Sequence, residues 1–381
     1  MNRSIVIVGA GQAGFQTALS LRNEGYAGKI ALIDDEGRVP YARPPLSKAY
    51  LKGTATAESL EYRPAEFFVQ QSLDLVLNDP AVEIDRGRQT VAMRSGRELE
   101  WSSLVLATGA HVRRLPSLGK EPFYLRTFND SEGLRSHLAE TGSLLAIGCG
   151  FIGLEAAAAA RAQGKQVRVI GAEARLMGRA VSPFISAWFH ALHERHGVEI
   201  QLNTAVQGVS ETSAVLPDGT VETADTVVVG IGVIPNTELA AKANLAVSGG
   251  IVTDSYLRTT DPAIFAVGDC AMHPNVYAGG LTRIESVQNA ADHARAVAST
   301  ISGRPKEYRQ VPWFWTEQFE AKLQIAGLAV EADETEVKGD PESGKFSVYS
   351  YKAGKLKFVE SVNQPAAHIA ARKLIEGVAS E

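Results

Sequence analysis

Residues 5–14 read Ile-Val-Ile-Val-Gly-Ala-Gly-Gln-Ala-Gly, an aliphatic run followed by glycines spaced as G-x-G-x-x-G. A helical pattern continues to about Asn23, and residues 29–33 form a second aliphatic run. This order predicts a strand, a tight turn, a helix and a second strand. In such a turn the first glycine makes the bend, the second admits a pyrophosphate and the third lets helix and strand pack closely. The segment therefore predicts a dinucleotide site, and Asp34 and Asp35 follow where a carboxylate would meet the adenosine ribose.

The same pattern recurs near the middle of the chain. Residues 144–147 predict a strand, residues 148–153 read Gly-Cys-Gly-Phe-Ile-Gly, residues 154–162 predict a helix and residues 166–170 the next strand. A single G-x-G-x-x-G is weak evidence, but two copies between strand and helix favour two dinucleotide sites over a duplicated fold that binds one or none. Two such sites suggest a bound flavin that takes a hydride from a diffusible nicotinamide. A flavoprotein that senses nicotinamide occupancy would have the same two sites.

Composition narrows the class of protein. The 381 residues carry 38 basic and 43 acidic side chains, and a net charge of -5 offers no footprint for nucleic acid. The most apolar window, residues 143–160, contains three glycines and Glu155, so no membrane span is predicted. With two cysteines and no secretory signal, the expected location is the cytoplasm.

Five further motifs make the comparison specific. They read Val-Pro-Tyr-Ala-Arg-Pro-Pro-Leu-Ser-Lys at 39–48, Trp-Ser-Ser-Leu-Val-Leu-Ala-Thr-Gly at 101–109, Thr-Thr-Asp-Pro-Ala-Ile-Phe-Ala-Val-Gly-Asp at 259–269, Arg-Ile-Glu-Ser-Val-Gln-Asn at 283–289 and Pro-Trp-Phe-Trp at 312–315. Together they resemble the FAD-dependent rubredoxin and ferredoxin reductases of bacterial oxygenase systems, over nearly the whole chain. The resemblance implies an α/β fold with two Rossmann-like dinucleotide-binding domains, arranged as in glutathione reductase, and a small α+β C-terminal domain.

The resemblance also implies domain boundaries. Residues 1–111 and 250–311 would bind FAD, residues 112–249 would bind NAD(P)H, and residues 312–381 would form the C-terminal domain. Alternating apolar residues at 324–330, 346–351 and 356–359 predict a small antiparallel sheet there, with a helix from about Ala366.

Site residues are carried over by position. The resemblance assigns FAD binding to Gly9, Gly11, Ala13, Gly14, Asp35, Arg43, Pro44, Lys48, Val82, Ala107, Thr108, Gly109, Arg126, Gly268, Asp269, Val287 and Trp315. It assigns nicotinamide-nucleotide binding to Gly148, Gly150, Ile152, Gly153, Glu155, Glu173 and Gly232. Asp269 would hydrogen-bond the ribityl chain and could also cap a helix. Val287 would open a helix whose dipole faces the flavin pyrimidine edge. Trp313 and Trp315 would share one strand face and wall the flavin, or simply pack in the core.

Lys48 and Glu155 are the predicted catalytic pair. The resemblance implies that they meet near flavin N5, where the lysine stabilises the reduced flavin and the glutamate orients the lysine and the nicotinamide carboxamide. The alternative is two solvated surface charges.

The remaining reactive residues exclude other chemistry. Cys149 and Cys270 form no C-x-x-C pair, and each is interpreted as a packed small residue, so the electrons must leave to an external acceptor. His190, His193 and His196 are spaced by three on a predicted helix and are interpreted as a solvated face rather than a metal site.

Residues 171–175 bear on the choice of nicotinamide, and two arginines bear on the choice of electron acceptor. NADH-using relatives place an acidic residue where this chain has Gly171; Glu173 could reach back instead, and Arg175 could meet a 2′-phosphate. NADH is favoured, with NADPH left open. The implied partner is a [2Fe-2S] ferredoxin or a rubredoxin, which Arg63 and Arg295 could attract. Alternatives are a flavoprotein of the apoptosis-inducing-factor type and a monodehydroascorbate or nitrite reductase type.

Overall fold

The computed structural model describes residues 4–380. Its α-helices are α1 (Gln12–Asn23), α2 (Ala65–Gln70), α3 (Phe128–Glu140), α4 (Phe151–Ala162), α5 (Pro183–Arg195), α6 (Glu238–Lys242), α7 (Val287–Ile301) and α8 (Pro365–Ser380). Short 3₁₀ helices span Pro44–Ser47, Glu58–Leu60 and Gly268–Cys270.

The strands of the described chain are β1 (Ser4–Val8), β2 (Lys29–Ile33), β3 (Leu73–Val76), β4 (Ala81–Asp85), β5 (Thr90–Met93), β6 (Glu98–Glu100), β7 (Ser103–Leu106), β8 (Ala110–Val112), β9 (Phe123–Tyr124), β10 (Ser143–Ile147), β11 (Gln166–Ile170), β12 (Val198–Gln201), β13 (Gly208–Val209), β14 (Ser213–Val215), β15 (Val221–Thr223), β16 (Thr226–Val229), β17 (Val233–Pro235), β18 (Ile251–Val252), β19 (Ile264–Ala266), β20 (Ala271–Asn275), β21 (Gly280–Thr282), β22 (Trp313–Gln318), β23 (Ala321–Gly327), β24 (Glu334–Asp340), β25 (Lys345–Lys352) and β26 (Lys355–Val362).

The chain divides into two compact units, each assembled from separated segments. Unit 1 comprises residues 4–42, 61–111 and 235–312. Unit 2 comprises residues 43–60, 112–234 and 313–380. Lys48 and Glu155 therefore belong to the same unit, although more than a hundred residues separate them. The predicted division into three functional domains stays a prediction.

Unit 1 is organised by a five-stranded parallel sheet in the order β19-β7-β1-β2-β3. Side chains of β1 alternate between two cores, because successive residues of a strand point to opposite faces. Ile5 and Ile7 pack in one core with Phe15 of α1, whereas Val6 and Val8 pack in the other. Burial on both faces explains why the strands are continuous hydrophobic runs.

Unit 2 contains a second parallel sheet, in the order β12-β11-β10-β16-β9, and an antiparallel sheet in the order β22-β23-β26-β25-β24. The two sheets contribute to one core, in which Leu144 and Phe189 cluster with Leu323 and Phe358. The rings of Phe151 on α4 and of Phe314 on β22 are 4.6 Å apart. The C-terminal sheet is therefore packed directly against the helix that follows the second glycine turn.

The elements predicted from the two glycine motifs are confirmed. Strands β2 and β11 have the predicted bounds, and α1 ends at Asn23 as expected. The predicted C-terminal antiparallel sheet and its following helix are also present. Helix α4 begins at Phe151 rather than at residue 154, because the glycine turn leads into the helix without a connecting loop. None of the described helices is both long enough and apolar enough to cross a bilayer.

A buried carboxylate makes unit 2 sensitive to pH. Glu360 on β26 is 0 % exposed, and its Oε1 accepts a hydrogen bond from the backbone N–H of Ser182, the N-cap of α5, at 2.9 Å. Burial raises the pKa of Glu360 from the ordinary 4.5 to about 7, although the nearby Arg175 acts in the opposite direction.

The native protein is expected to lose stability as the pH rises from 5 to 8, because Glu360 is deprotonated in this range. Glu360→Gln should abolish this pH dependence. Between pH 4.5 and about 7 the folded carboxyl keeps a proton that the unfolded chain has lost, so stability falls with rising pH and levels off above 7. The difference between native and variant unfolding free energies should change by about 3 kcal/mol across this window. Urea denaturation at each pH measures it.

Glu334→Gln is the matched control for this measurement. Glu334 is an exposed residue on β24 of the same sheet, so its replacement should leave the pH dependence of stability unchanged. A Glu360→Gln variant whose stability follows the native curve at every pH would show that the Glu360 carboxyl titrates normally.

Candidate functional site

The first glycine turn leaves no room for a Cβ at Gly9 or at Gly14. Gly9 has φ +101°, and a Cβ there would lie 2.2 Å from the carbonyl oxygen of Ala107. A Cβ on Gly14 would lie 1.8 Å from the carbonyl oxygen of Gly9. Both contacts are far shorter than van der Waals distance, so only glycine permits this approach of strand, turn and helix.

Several predicted residues converge at the carboxyl ends of the unit 1 strands. The first glycine turn follows β1, Ala107–Gly109 follow β7, and Gly268 comes two residues after β19. These three strands are neighbours in the sheet. A Cβ on Gly268 would lie 3.0 Å from the Cβ of Ala13. Ligands of open α/β sheets bind at this edge.

The starts of α1 and α4 differ from those of α3, α5 and α7. Thr127, Ser182 and Ser286 cap α3, α5 and α7 through their side chains. The caps of α1 and α4 are Gly11 and Gly150, and neither helix start receives a side-chain hydrogen bond. No heavy atom lies within 4 Å of the position that a Cβ on Gly11 would take. Unpaired N–H groups at an open helix start bind phosphate well, so both turns fit the pyrophosphate of a dinucleotide.

The second turn repeats the first in detail. Gly148 has φ +107°, and a Cβ there would lie 2.4 Å from the carbonyl oxygen of Gly230, which follows β16. A Cβ on Gly153 would lie 2.1 Å from the carbonyl oxygen of Gly148. Ile152 in the first turn of α4 is 40 % exposed. Gly232 has φ +102° and open space around it.

The two acidic residues after β2 have different environments. Asp34 accepts hydrogen bonds from the backbone N–H groups of Ala10 at 2.6 Å and Glu36 at 2.9 Å, and burial raises the pKa of Asp34. Asp35 is exposed. Asp34 thus holds the glycine turn in place, while Asp35 presents its carboxylate outward, as its predicted contact with a ribose requires.

The turn that carries Asp269 is held by a histidine that the sequence did not indicate. His293 on α7 is fully buried, and its Nδ1 accepts a hydrogen bond from the backbone N–H of Gly268 at 3.2 Å. The suggested helix-cap role of Asp269 is wrong, because Asp269 lies inside the 3₁₀ helix Gly268–Cys270 and Val267 is its cap. Val287 does open α7, as predicted.

Lys48 and Glu155 form a buried ion pair in unit 2. Lys48 Nζ lies 2.7 Å from Glu155 Oε2, and the two side chains are 15 % and 2 % exposed. Ser47 Oγ donates to the same carboxylate oxygen at 2.5 Å, and Thr316 Oγ1 donates to Oε1 at 2.6 Å. Lys48 Nζ also donates to the carbonyl of Pro44 at 3.3 Å. The alternative of two solvated charges is therefore wrong, and Ser47 and Thr316 are partners that sequence analysis missed.

Other predicted flavin contacts are distributed over both units. In unit 2, Arg43 Nη1 donates to the backbone carbonyl of Arg126 at 2.8 Å, which brings these two residues together. Trp313 and Trp315 have ring centroids 5.7 Å apart, so they share one face of β22 as predicted. Val82 lies on β4 of unit 1 and is 40 % exposed. The flavin-binding roles of these residues stay predictions.

Both cysteines are packed thiols. Cys149 is 1 % exposed and donates to Glu173 Oε2 at 3.3 Å. Burial, followed by the Glu173 carboxylate, raises the pKa of Cys149 to about 12. Cys270 is fully buried, and its burial also raises its pKa. Neither forms a disulfide, so the interpretation of both as packed small residues is confirmed.

The three histidines at the end of α5 have different environments. His190 is 31 % exposed and lies 3.3 Å from Glu194, and His196 is 39 % exposed and lies 2.9 Å from Glu320. His193 is fully buried, and its Nε2 lies 2.8 Å from Gln318 Oε1. His196 stacks on the ring of Phe319, with centroids 3.9 Å apart. The prediction of a solvated face is therefore wrong for His193, because the C-terminal sheet covers it, and nothing in the helix itself reveals that neighbour.

Comparisons with known proteins agree with this geometry. Residues 3–294 match the family model "Pyridine nucleotide-disulphide oxidoreductase" and residues 313–380 match "Reductase C-terminal". Rhodocoxin reductase of Rhodococcus erythropolis is 48 % identical over 98 % of this chain and 89 % of its own. Putidaredoxin reductase of Pseudomonas putida is 39 % identical over 98 % and 92 %. The crystal structure of the ferredoxin reductase for the CYP199A2 system from Rhodopseudomonas palustris has a TM-score of 0.95 and 45 % identity, covering 98 % of this chain and 95 % of its own.

The fold and the two glycine turns define an FAD-dependent NAD(P)H oxidoreductase, and the chain belongs to the pyridine nucleotide-disulphide oxidoreductase family. Within that family it belongs with the ferredoxin and rubredoxin reductases. The predicted fold class, the predicted FAD cofactor and the resemblance drawn from the sequence motifs are confirmed.

Proposed function

We propose that this chain oxidises NADH through FAD and passes the electrons singly to a small [2Fe-2S] ferredoxin or a rubredoxin that serves an oxygenase such as a cytochrome P450. One observation carries the proposal. The chain has two glycine turns open to pyrophosphate, while its two cysteines are buried thiols that cannot receive electrons as a disulfide. When bound, FAD takes up two electrons as a hydride and releases them one at a time, which a nicotinamide does not do readily.

We infer the role of each site residue from the resemblance, and the open glycine turns and the Lys48–Glu155 pair support these roles. Gly9, Gly11, Ala13 and Gly14 bind the FAD pyrophosphate, Asp35 binds its ribose and Asp269 its ribityl chain. Gly148, Gly150 and Gly153 bind the pyrophosphate of the nicotinamide nucleotide. Glu155, two residues after Gly153, orients Lys48 and accepts a hydrogen bond from the carboxamide. Neither member of this pair transfers a proton.

The surroundings of Glu173 favour NADH. A side chain at Gly171 would lie 2.5 Å from Cys149 Sγ, so the usual position for an acidic residue is closed. The Glu173 carboxylate is 41 % exposed and lies 3.7 Å from the exposed Arg179, so it can still accept hydrogen bonds from ribose hydroxyls. Arg175 donates to the carbonyls of Val181 and Gly178 at 2.7 and 2.6 Å, so its guanidinium is occupied in holding its own loop.

Glu173→Ala is expected to lower the preference for NADH over NADPH about tenfold, because one charge-assisted pair of hydrogen bonds to the ribose is lost. Stopped-flow reduction of the flavin with each nucleotide measures the preference. Glu199→Ala is the control, since Glu199 is 76 % exposed and pairs with Arg168. A preference that stays unchanged in Glu173→Ala would assign discrimination to another residue.

The electron acceptor is tested with the FAD-loaded protein and NADH under anaerobic conditions. A purified [2Fe-2S] ferredoxin should be reduced at catalytic rates, and a rubredoxin and monodehydroascorbate serve as comparison acceptors. If NADH reduces the flavin rapidly but neither the ferredoxin nor the rubredoxin becomes reduced, the proposal that these proteins are the electron acceptors is rejected. That result would favour a flavoprotein that responds to nicotinamide occupancy.

Two exposed arginines differ as attractors of an acidic partner. Arg295 is paired with Asp292 at 2.6 Å, which cancels much of its field. Arg63 donates to the carbonyl of Tyr62 and lies over the ring of Phe67 at 5.6 Å, so its charge remains available to a partner. Arg63 is therefore the stronger candidate for electrostatic steering.

The two unbridged thiols support a cytoplasmic location, where thiols stay reduced.

A further inference from the structure

A chain of buried hydrogen bonds leads from Glu155 to helix α5. Thr316 Oγ1 lies 2.6 Å from Glu155 Oε1, Gln318 Nε2 lies 3.2 Å from Thr316 Oγ1, and His193 Nε2 lies 2.8 Å from Gln318 Oε1. None of these four side chains is more than 2 % exposed. Two residues of the C-terminal sheet thus connect the predicted catalytic carboxylate to a buried imidazole.

The direction of donation is the same at every link. A carboxylate only accepts, so the Thr316 hydroxyl gives its hydrogen to Glu155 and accepts from the Gln318 amide nitrogen. The Gln318 carbonyl then faces His193, whose Nε2 carries the hydrogen of this contact. Burial lowers the pKa of His193 to about 4, so the imidazole is neutral at physiological pH. All three donors point towards Glu155.

We propose that Thr316, Gln318 and His193, called here the donor chain, are positioning residues that hold the Glu155 carboxylate turned towards Lys48 for the reaction with the nicotinamide. The inference rests on the role proposed above for Glu155. Burying a carboxylate is costly unless hydrogen bonds compensate it, and aligned hydrogen bonds strengthen one another in a dry interior.

The placement of the donor chain depends on the alternation of β22. Thr316 and Gln318 are two residues apart, so both point into the core of unit 2, while Trp313 and Trp315 occupy the other face. The C-terminal segment therefore supplies a hydrogen-bond donor to the predicted catalytic carboxylate.

Thr316→Val tests the first link, because valine keeps the shape of threonine and lacks the hydroxyl. The limiting rate of flavin reduction by NADH in stopped flow should fall at least about tenfold, the loss of one hydrogen bond to a charged group. The dissociation constant for NADH should change less than the rate. Thr316→Ser keeps the hydroxyl and should restore most of the rate.

Ser347→Ala is the matched control. Ser347 Oγ pairs with Ser361 Oγ at 2.9 Å inside the same sheet, and both residues are buried. This variant loses a buried hydroxyl contact that does not involve Glu155. Its rate of flavin reduction should stay within about twofold of the native rate.

A second readout does not depend on turnover. Thr316→Val removes a hydrogen bond to the Glu155 carboxylate, so it should raise the unfolding equilibrium constant at least about tenfold in the native background. The same change should cost much less in a Glu155→Leu background, where the acceptor is gone. The penalty of Ser347→Ala should be the same in both backgrounds.

Native-like reduction rates in Thr316→Val, or an equal stability penalty of Thr316→Val in the native and Glu155→Leu backgrounds, would overturn the inference. Glu155→Gln, measured in parallel, separates this from failure of the proposed function. If Glu155→Gln is slow and Thr316→Val is fast, only the donor chain is wrong. If Glu155→Gln is as fast as the native protein, the role of Glu155 is wrong and the donor chain serves no reacting group.

Discussion

Gly9→Ala is expected to give a protein that retains no flavin, whereas Gly148→Ala should keep its flavin and bind NADH at least about 100-fold more weakly, equivalent to about 3 kcal/mol. At both positions φ is positive, at +101° and +107°, and the added Cβ would lie 2.2 and 2.4 Å from a backbone carbonyl oxygen. The turn must therefore open, which moves the N–H groups that bind pyrophosphate. Flavin absorbance after gel filtration and equilibrium titration with NADH measure the two effects.

Gly164→Ala is the control that separates backbone strain at a positive φ from a steric clash of the added Cβ. Gly164 has φ +79°, but no heavy atom lies within 4 Å of the position that its Cβ would take. This variant should bind both nucleotides normally and lose about 1 kcal/mol of stability. A flavin-containing Gly9→Ala protein, or a Gly148→Ala protein with native affinity for NADH, would contradict the assignment of one dinucleotide to each turn.

Lys48→Met is expected to lower the free energy of unfolding by about 3–5 kcal/mol, because it leaves a buried carboxylate without its cation. Glu155→Leu should cost a similar amount, since Lys48, Ser47 and Thr316 would lose their shared acceptor. The double variant should lose clearly less than the two single losses added together. Both single variants should also slow flavin reduction. Urea denaturation and stopped-flow reduction give the two sets of values.

An exposed ion pair provides the comparison. Arg88 Nη2 lies 2.9 Å from Glu98 Oε2, with side chains 65 % and 42 % exposed. Arg88→Met should therefore cost less than about 1 kcal/mol, because solvent screens the pair. If Lys48→Met were as mild as Arg88→Met, the buried Lys48–Glu155 pair would contribute no more to stability than a solvent-screened pair.

Local sequence was sufficient for the elements that surround each glycine turn. The run at residues 29–33 predicted β2, and the run at residues 166–170 predicted β11, with the bounds that the structure shows. The spacing of Gly9, Gly11 and Gly14 predicted the turn itself. These features depend on backbone conformation and on neighbours a few residues away, which a single sequence displays directly.

The sequence predicted only some of the contacts between side chains that are distant in the chain. The resemblance placed Lys48 with Glu155, and the structure confirms that they meet. Their partner Thr316 went unnoticed, because it is separated from Glu155 by 161 positions and alternation reveals only that it faces inward. His193 was misplaced for the same reason, since spacing on a helix cannot show what covers that face.

Two dinucleotide turns and the lack of a redox-active cysteine pair could be predicted without any structure. Glycine spacing and cysteine spacing are properties of short segments, so they are visible in the sequence. The folded chain was needed to show that Glu155 lies at the end of a row of donors running through Thr316 and Gln318 to His193. Such a row forms when a helix and a sheet pack against each other and exclude water. This packing depends on segments far apart in the chain, so no single segment predicts it.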